Sequence, residues 1–324
     1  MDNDGPGFTI DISDEVFFGT LIAVLALAAA GLVTLIAVRL WRTWQPRHRM
    51  RAIDDLSRSM NLVIPEDLRE PLAHAVAMRT RGREIGWVIG FSGMVLAFWL
   101  WETPASPTGF GTGLAALALA LGCTSAGAVV GGLLARRPTS RSPRTARLTS
   151  LTYADLVAPY ERRIVAIGVA CGVALPVAFA AAAAGPWTNG HTSPGADAGL
   201  LVLVGLLSAG LWIALPRISR RLVASRALPG DEHALAWSDA LAARTVRDIA
   251  YMAMNLSSLA ALWSFMALGL ALPQDWTAAV PATTKIGMGL GLAGLLAAII
   301  IVTSRSPERH VQRTLWPQFA ANAQ

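Results

Sequence analysis

The chain has 324 residues, of which 54% are hydrophobic and only 15% are charged, and its formal net charge is +6. Soluble domains usually carry about 25% charged residues, so this composition excludes an ordinary soluble domain. Clustered arginine can neutralise nucleic-acid phosphates, but the position of the arginines relative to the apolar runs accounts for the positive charge, and we expect no nucleic-acid partner. Cys123 and Cys171 lie in separate apolar runs, so we expect neither a disulfide framework nor a metal site.

Seven apolar runs follow one another along the chain. They lie at 17–40, 85–101, 109–135, 163–184, 199–216, 249–272 and 284–303. Each is close to the ~17–25 residues that a helix needs to cross a bilayer. The sequence therefore predicts an all-α, polytopic membrane protein with seven transmembrane helices in a domain of residues 17–304, and with amphipathic cytoplasmic helices between them.

Arginine placement predicts the orientation of these runs. If the gaps are assigned alternately to the outside and the inside, all 26 arginines lie on the inner side, while the outer side holds one base, Lys285, and eight acids. Basic residues are retained in the cytoplasm during insertion. We therefore expect a multi-pass protein of a bacterial cell (cytoplasmic) membrane, with its N-terminus outside and its C-terminus in the cytoplasm.

The N-terminal segment 1–16 is interpreted as an outer tail. It carries five acids and no base, whereas a signal peptide begins with a basic region. The first apolar run is therefore predicted to be a permanent membrane anchor.

Most of the chain outside the runs is predicted to be cytoplasmic. These parts are 41–84, 136–162, 217–248 and the tail 305–324. Apolar residues recur at helical spacing around 66–80 and 233–246, which is typical of amphipathic helices. Segments 75–87 and 240–251 also resemble each other, and both lead into an apolar hairpin. A parallel repeat would explain the similarity, and so would the ease with which Ala/Arg-rich sequence matches itself.

These two amphipathic helices supply the candidate partner-binding residues, because aromatic and apolar side chains set among arginines often form binding hot spots. The candidates are Leu68, Leu72, Trp237 and Leu241. The alternative is that the same side chains pack against one another or enter the headgroup region.

Inside the runs the informative residues are small or weakly polar. Glycines four residues apart predict close helix packing, at Gly86/Gly90, Gly127/Gly131, Gly168/Gly172 and Gly287/Gly291. Ser125 and Asn255 are candidates for a polar solute path, although side chains of this kind also bond between helices without any path.

Three motifs resemble catalytic or cofactor sites without the partners that such sites need. Residues 289–294 spell a dinucleotide fingerprint inside an apolar run, with no strand before it. Ser92 lies in a protease-like motif, but no histidine occurs in any run. Lys285 lies at the outer rim, without the buried carboxylate that a retinal Schiff base requires. We therefore expect no catalytic residue, no cofactor and no enzyme activity.

The function favoured by these observations is a non-catalytic one. The chain is predicted to be an anchor or accessory subunit that binds a partner protein at its cytoplasmic face, with anionic lipid headgroups at the inner arginines. The partner is a different protein or a second copy of this chain. The alternative is a permease-type transporter of a small neutral or amphipathic solute.

Overall fold

The computed structural model describes residues 31, 33–101, 109–135, 151–184, 195–224, 228, 231–271 and 309–319. Nearly all of these residues are helical, and none of them belongs to a strand. The helices are α1 (33–42), α2 (Pro46–Met60), α3 (Glu66–Trp101), α4 (Gly109–Leu134), α5 (Tyr153–Leu156), α6 (Pro159–Ala183), α7 (Gly195–Ala224), α8 (Glu232–Ala271) and α9 (His310–Leu315). The predicted all-α fold is confirmed for this part of the chain.

Helix α2 folds back onto the beginning of α3. It begins at Pro46, whose missing N–H costs nothing in the first turn of a helix. It ends at Asn61, which adopts the left-handed conformation with φ of 55°. This fold-back buries Ile53 and Met60 of α2 against α3 and α8.

Helices α3 and α8 are each longer than a bilayer is thick. They have 36 and 40 residues, or ~54 and ~60 Å at about 1.5 Å per residue, whereas the hydrocarbon core measures about 30 Å. Each joins a predicted amphipathic helix to the apolar run that follows it, because no proline interrupts 72–101 or 232–271. Each therefore has a polar first part and an apolar second part.

We call the polar parts together the head: α2, residues 66–84 of α3, α5, residues 232–248 of α8, and α9. We call the apolar parts the bundle: residues 85–101 of α3, α4, α6, α7 and residues 249–271 of α8.

Glycine allows the helices of the bundle to approach closely. A Cβ atom added at Gly86 would overlap the carbonyl oxygen of Cys123, and one at Gly127 would overlap that of Gly82, so α3 and α4 touch backbone to backbone. Gly172 of α6 lies against Gly205 of α7 in the same way. The predicted close packing is confirmed at Gly86/Gly90, at Gly127/Gly131 and at Gly172, whereas Gly168 meets only the side chain of Met254. Gly287/Gly291 lies outside the described residues.

The bundle presents large apolar side chains outward. Ile167 is 65% exposed, Leu207 57% and Ile213 60%. Two helical segments, Pro159–Ala182 and Ala198–Ala224, are long and apolar enough to cross a membrane. Only these two of the seven predicted crossings qualify among the described residues, so seven crossings remain a prediction.

Part of the predicted cytoplasmic tail packs against the head. Val311 and Gln312 of α9 are buried, and the indole Nε1 of Trp316 donates to Oδ2 of Asp239 in α8 at 2.9 Å. Residues 309–319 therefore cover α5 and α8 as part of the folded structure.

Candidate functional site: two basic clefts at the head

The four candidate partner-binding residues lie in the core of the head. Leu72 is fully buried, Trp237 is 1% exposed, and Leu68 and Leu241 are buried beside them. The indole Nε1 of Trp237 donates to the carbonyl oxygen of Val63 at 2.9 Å, which fixes the ring between α3 and α8. Because these side chains pack against one another, a partner cannot reach Leu68, Leu72 or Trp237 in this structure, whereas Leu241 has an edge in a cleft.

That cleft has a volume of about 600 Å³ and lies between the same two helices. Its walls come from α2, from residues 70–79 of α3, from the last residues of α4 and from residues 241–245 of α8. The charged and titratable lining residues are Arg49, Glu70, His74, Arg79 and Arg244. We call it the large cleft.

The large cleft combines positive charge with an apolar wall. Three arginines face one acid, Glu70, which is itself exposed. Met50, Val76 and Leu241 supply apolar surface next to them. Volumes of 300–1,000 Å³ with apolar walls and a few converging polar groups are typical of binding sites. The cleft therefore suits a ligand with both negative charge and apolar surface.

An ion pair holds the two long helices together beside the large cleft. Arg79 of α3 bonds to Asp248 of α8. Burial raises the pKa of Asp248 above its ordinary value, and the nearby Arg79 and Arg244 oppose that rise. The pair positions Arg79 and leaves Arg244, one turn earlier on α8, at the cleft wall.

A second cleft, of about 250 Å³, lies where α1 and α2 meet α3. We call it the small cleft. Arg39, Arg42, His48, Arg49 and Arg83 line it together with one acid, Glu84. Arg81 fixes its geometry, since Nε donates to Oγ1 of Thr43 at 3.0 Å and the guanidinium lies 4.0 Å from the centre of the Trp44 ring.

Glu84 is the unusual group of the small cleft, because its carboxylate is only 1% exposed. Its Oε1 lies 3.2 Å from Arg83 Nη2 and 3.9 Å from Arg39 Nη1. Its Oε2 is buried without a hydrogen-bond partner among the described residues. A buried acceptor in that state carries a desolvation cost of about 1–3 kcal/mol, which a bound donor would relieve.

A third charged group, centred on Glu161, has a structural role. Its Oε2 accepts from the backbone N–H of Ala158 at 3.2 Å and lies 3.5 Å from Nε of Arg247. The hydroxyl of Tyr251 donates to Oε1. The backbone N–H, the arginine and the tyrosine contact the Glu161 carboxylate from three directions. The group therefore joins α6 to α8 and leaves little room for a ligand.

The two candidates for a solute path are separate from both clefts. Ser125 Oγ donates to the carbonyl oxygen of Leu121 in its own helix at 3.2 Å. Asn255 is partly buried in α8. Neither residue lines the large or the small cleft, so a polar path through them remains a prediction.

The candidate residues predicted from the sequence lie on the buried sides of α3 and α8. The sequence analysis did not predict α2, which contributes Arg49 and Met50 to the large cleft. The signal for α2 was present, because Pro46 precedes Ile53, Leu56 and Met60 at helical spacing. No sequence signal indicates that Glu84 is buried.

Comparisons with protein-family models, with curated proteins and with solved structures find no match for this chain.

Proposed function

We propose that this chain is a multi-pass protein of a bacterial cytoplasmic membrane, and that its head lies in the cytoplasm and binds a partner protein in the large cleft. Its role is non-catalytic, that of an anchor or accessory subunit. The observation that carries the proposal is a basic cleft with an apolar wall at the arginine-rich end of an apolar helix bundle.

The outer surface of the bundle supports the membrane location. Large aliphatic side chains on α3, α6 and α7 are exposed over several turns, whereas soluble monomers rarely expose continuous apolar patches beyond a few hundred Å². Arginines of the described residues lie at the head and at the ends of helices that adjoin it. This arrangement agrees with the positive-inside pattern of the sequence.

The chemistry of the large cleft supports an acidic, amphipathic segment as the part of the partner that binds. Carboxylates of such a segment would pair with Arg49 and Arg244, and its apolar side chains would pack on Met50 and Leu241. Interfaces draw most of their affinity from a few buried apolar and arginine contacts, and a cleft of this size holds a few such side chains.

Site-specific photo-crosslinking in living cells tests this proposal. A photoreactive residue at His74, which is exposed and lines the large cleft, should give one crosslinked protein. The same residue at Glu66, on the same helix but outside the cleft lining, should not. Adding Arg244→Glu should abolish the crosslink, while Arg220→Glu on the exposed side of α7 should leave it unchanged.

Two results would contradict the proposal. Equal crosslinking from His74 and Glu66 would show that the cleft has no role in binding. A crosslink insensitive to Arg244→Glu would exclude charge pairing in the cleft. If no crosslink forms and replacing Ser125 or Asn255 instead impairs uptake of a solute, the transporter alternative should replace the proposal.

The orientation is tested with single cysteines in whole cells. An impermeant thiol reagent should label Ser106→Cys and Ser193→Cys, and should not label Ser140→Cys or Asn322→Cys. The opposite pattern would place the head outside the cell.

A further inference from the structure

The small cleft is the strongest unassigned feature of the molecule, and its position relative to the bundle is informative. Arg39 and Arg83 line it at the ends of two apolar segments. Exposed apolar side chains continue from it along both helices, Leu35 and Val38 on α1 and Ile85 and Ile89 on α3. A basic cleft that opens onto apolar surface is complementary to a molecule with an anionic head and a hydrocarbon tail.

The charges of the cleft specify the head of that molecule. Four arginines face the single carboxylate of Glu84, so the lining is strongly positive. Arginine recognises phosphate through its planar, multiply donating guanidinium. The side chains of Arg39 and Arg83 are about half exposed, at 51% and 50%, and Arg42 is exposed, so all three can turn toward a bound anion.

Glu84 adds a requirement that phosphate alone does not meet. Its Oε2 is buried with no donor among the residues described, and a phosphate diester has no proton to give it. A hydroxyl on the headgroup would satisfy this oxygen while the phosphate pairs with the arginines. The ligand therefore needs a negative charge and a hydroxyl within one small polar head.

We propose that the small cleft binds the headgroup of a phosphatidylglycerol-type lipid, with its phosphate among Arg39, Arg42 and Arg83 and a glycerol hydroxyl donating to Oε2 of Glu84. The acyl chains lie along the exposed apolar faces of α1 and α3. This inference rests on the proposed membrane location and is independent of the partner proposed for the large cleft.

The test uses the full chain in a mild non-ionic detergent, so that general attraction to a charged bilayer is absent. Native mass spectrometry measures retention of added phosphatidylglycerol, phosphatidic acid, phosphatidylcholine and, separately, inorganic phosphate. We expect retention to decrease from phosphatidylglycerol to phosphatidic acid to phosphatidylcholine, and we expect no retention of inorganic phosphate. Arg39→Gln/Arg42→Gln should bind phosphatidylglycerol at least about tenfold more weakly, because the variant loses charge-assisted hydrogen bonds to the phosphate.

The matched control is Arg47→Gln/Arg51→Gln, which removes two exposed arginines of the adjoining α2 that do not line the cleft. It should bind phosphatidylglycerol within about twofold of the parent, a difference of less than about 0.5 kcal/mol. Equal losses in the two double variants would show general electrostatic attraction and would overturn the site. Retention of inorganic phosphate equal to that of the lipid would also overturn it.

A second variant addresses the hydroxyl and remains usable if the double variant does not fold. Glu84→Leu removes the acceptor, so the preference for phosphatidylglycerol over phosphatidic acid should disappear. A preference unchanged in Glu84→Leu would contradict the assigned hydroxyl contact. If the membrane location itself is wrong, the chain will remain soluble without detergent and bind none of the lipids, whereas a wrong large-cleft assignment leaves the lipid order unchanged.

Discussion

The head and the bundle differ in the side chains that face outward. In the head the largest side chains lie inside, with Leu72, Ile53 and Trp237 buried, and charged residues such as Asp55 lie on the surface. In the bundle many large aliphatic side chains, such as Ile167 and Leu207, are exposed. Other large side chains, such as Phe179 and Leu215, are buried, and small residues such as Gly86 make the closest contacts between helices. The proposed membrane location of the bundle predicts this difference.

The difference identifies what stabilises each region. Burial of apolar area drives the association of helices in water, so the head requires bulky side chains between its helices. Lipid provides no such force, and helices there associate through close contact and hydrogen bonds. The contact of Ser208 with Ser257 is an example from the bundle, since the two hydroxyls bond between α7 and α8 and both side chains are fully buried.

The largest expected effect comes from emptying the core of the head. Trp237→Ala removes a buried indole and its bond to Val63, which should lower the free energy of unfolding by about 3–5 kcal/mol. Thermal unfolding of the detergent-purified protein measures the change. Trp41→Ala is the control, because Trp41 is 64% exposed. Similar losses in both variants would show that the head has no core of its own.

A smaller loss is expected when the interior of the bundle is filled. Gly86→Val places side-chain atoms where the backbone of Cys123 and Thr124 lies, so α3 and α4 must separate. Overpacking of this kind costs about 1–3 kcal/mol. Gly210→Val is the control, since nothing lies within 4 Å of a Cβ atom at Gly210. If Gly210→Val is the more damaging variant, the glycine contact between α3 and α4 is not what stabilises the hairpin.

The sequence predicts the bundle better than the clefts, and the reason is physical. An apolar run, or a pair of glycines four residues apart, is a local pattern. It indicates the same kind of helix packing whatever the position of the helix in the fold. A cleft depends on residues far apart in the chain, as in the small cleft, where Arg39 of α1 lies near Glu84 of α3. The candidate residues Leu72 and Trp237 illustrate the limit, because an amphipathic stripe has the same appearance whether it faces a partner or the protein's own core.

The C-terminal segment, residues 309–319, packs on α5 and α8 and contains a titratable group, His310. Burial lowers the pKa of His310 below its ordinary value of 6.5, and Arg247 and Arg162 act in the same direction. The backbone of Ala154 and the carboxylate of Glu161 oppose the effect.

The folded protein therefore takes up this proton less readily than the unfolded chain. The contribution of His310 to the free energy of unfolding is fully present above pH 6.5. It declines as the pH falls below that value, because the unfolded chain then binds more protons than the folded protein. The thermal midpoint should fall between pH 7.5 and pH 5.5, and the fall should be smaller in His310→Asn, whose side chain does not titrate. The difference between the two pH profiles isolates the contribution of the histidine. Over the same pH range, the backbone hydrogen-exchange rate of residues 309–319 should rise after correction for intrinsic rates. The corrected rates in α6 and α7 should stay constant. An identical pH profile for parent and variant would show that docking of the C-terminal segment does not depend on the charge of His310.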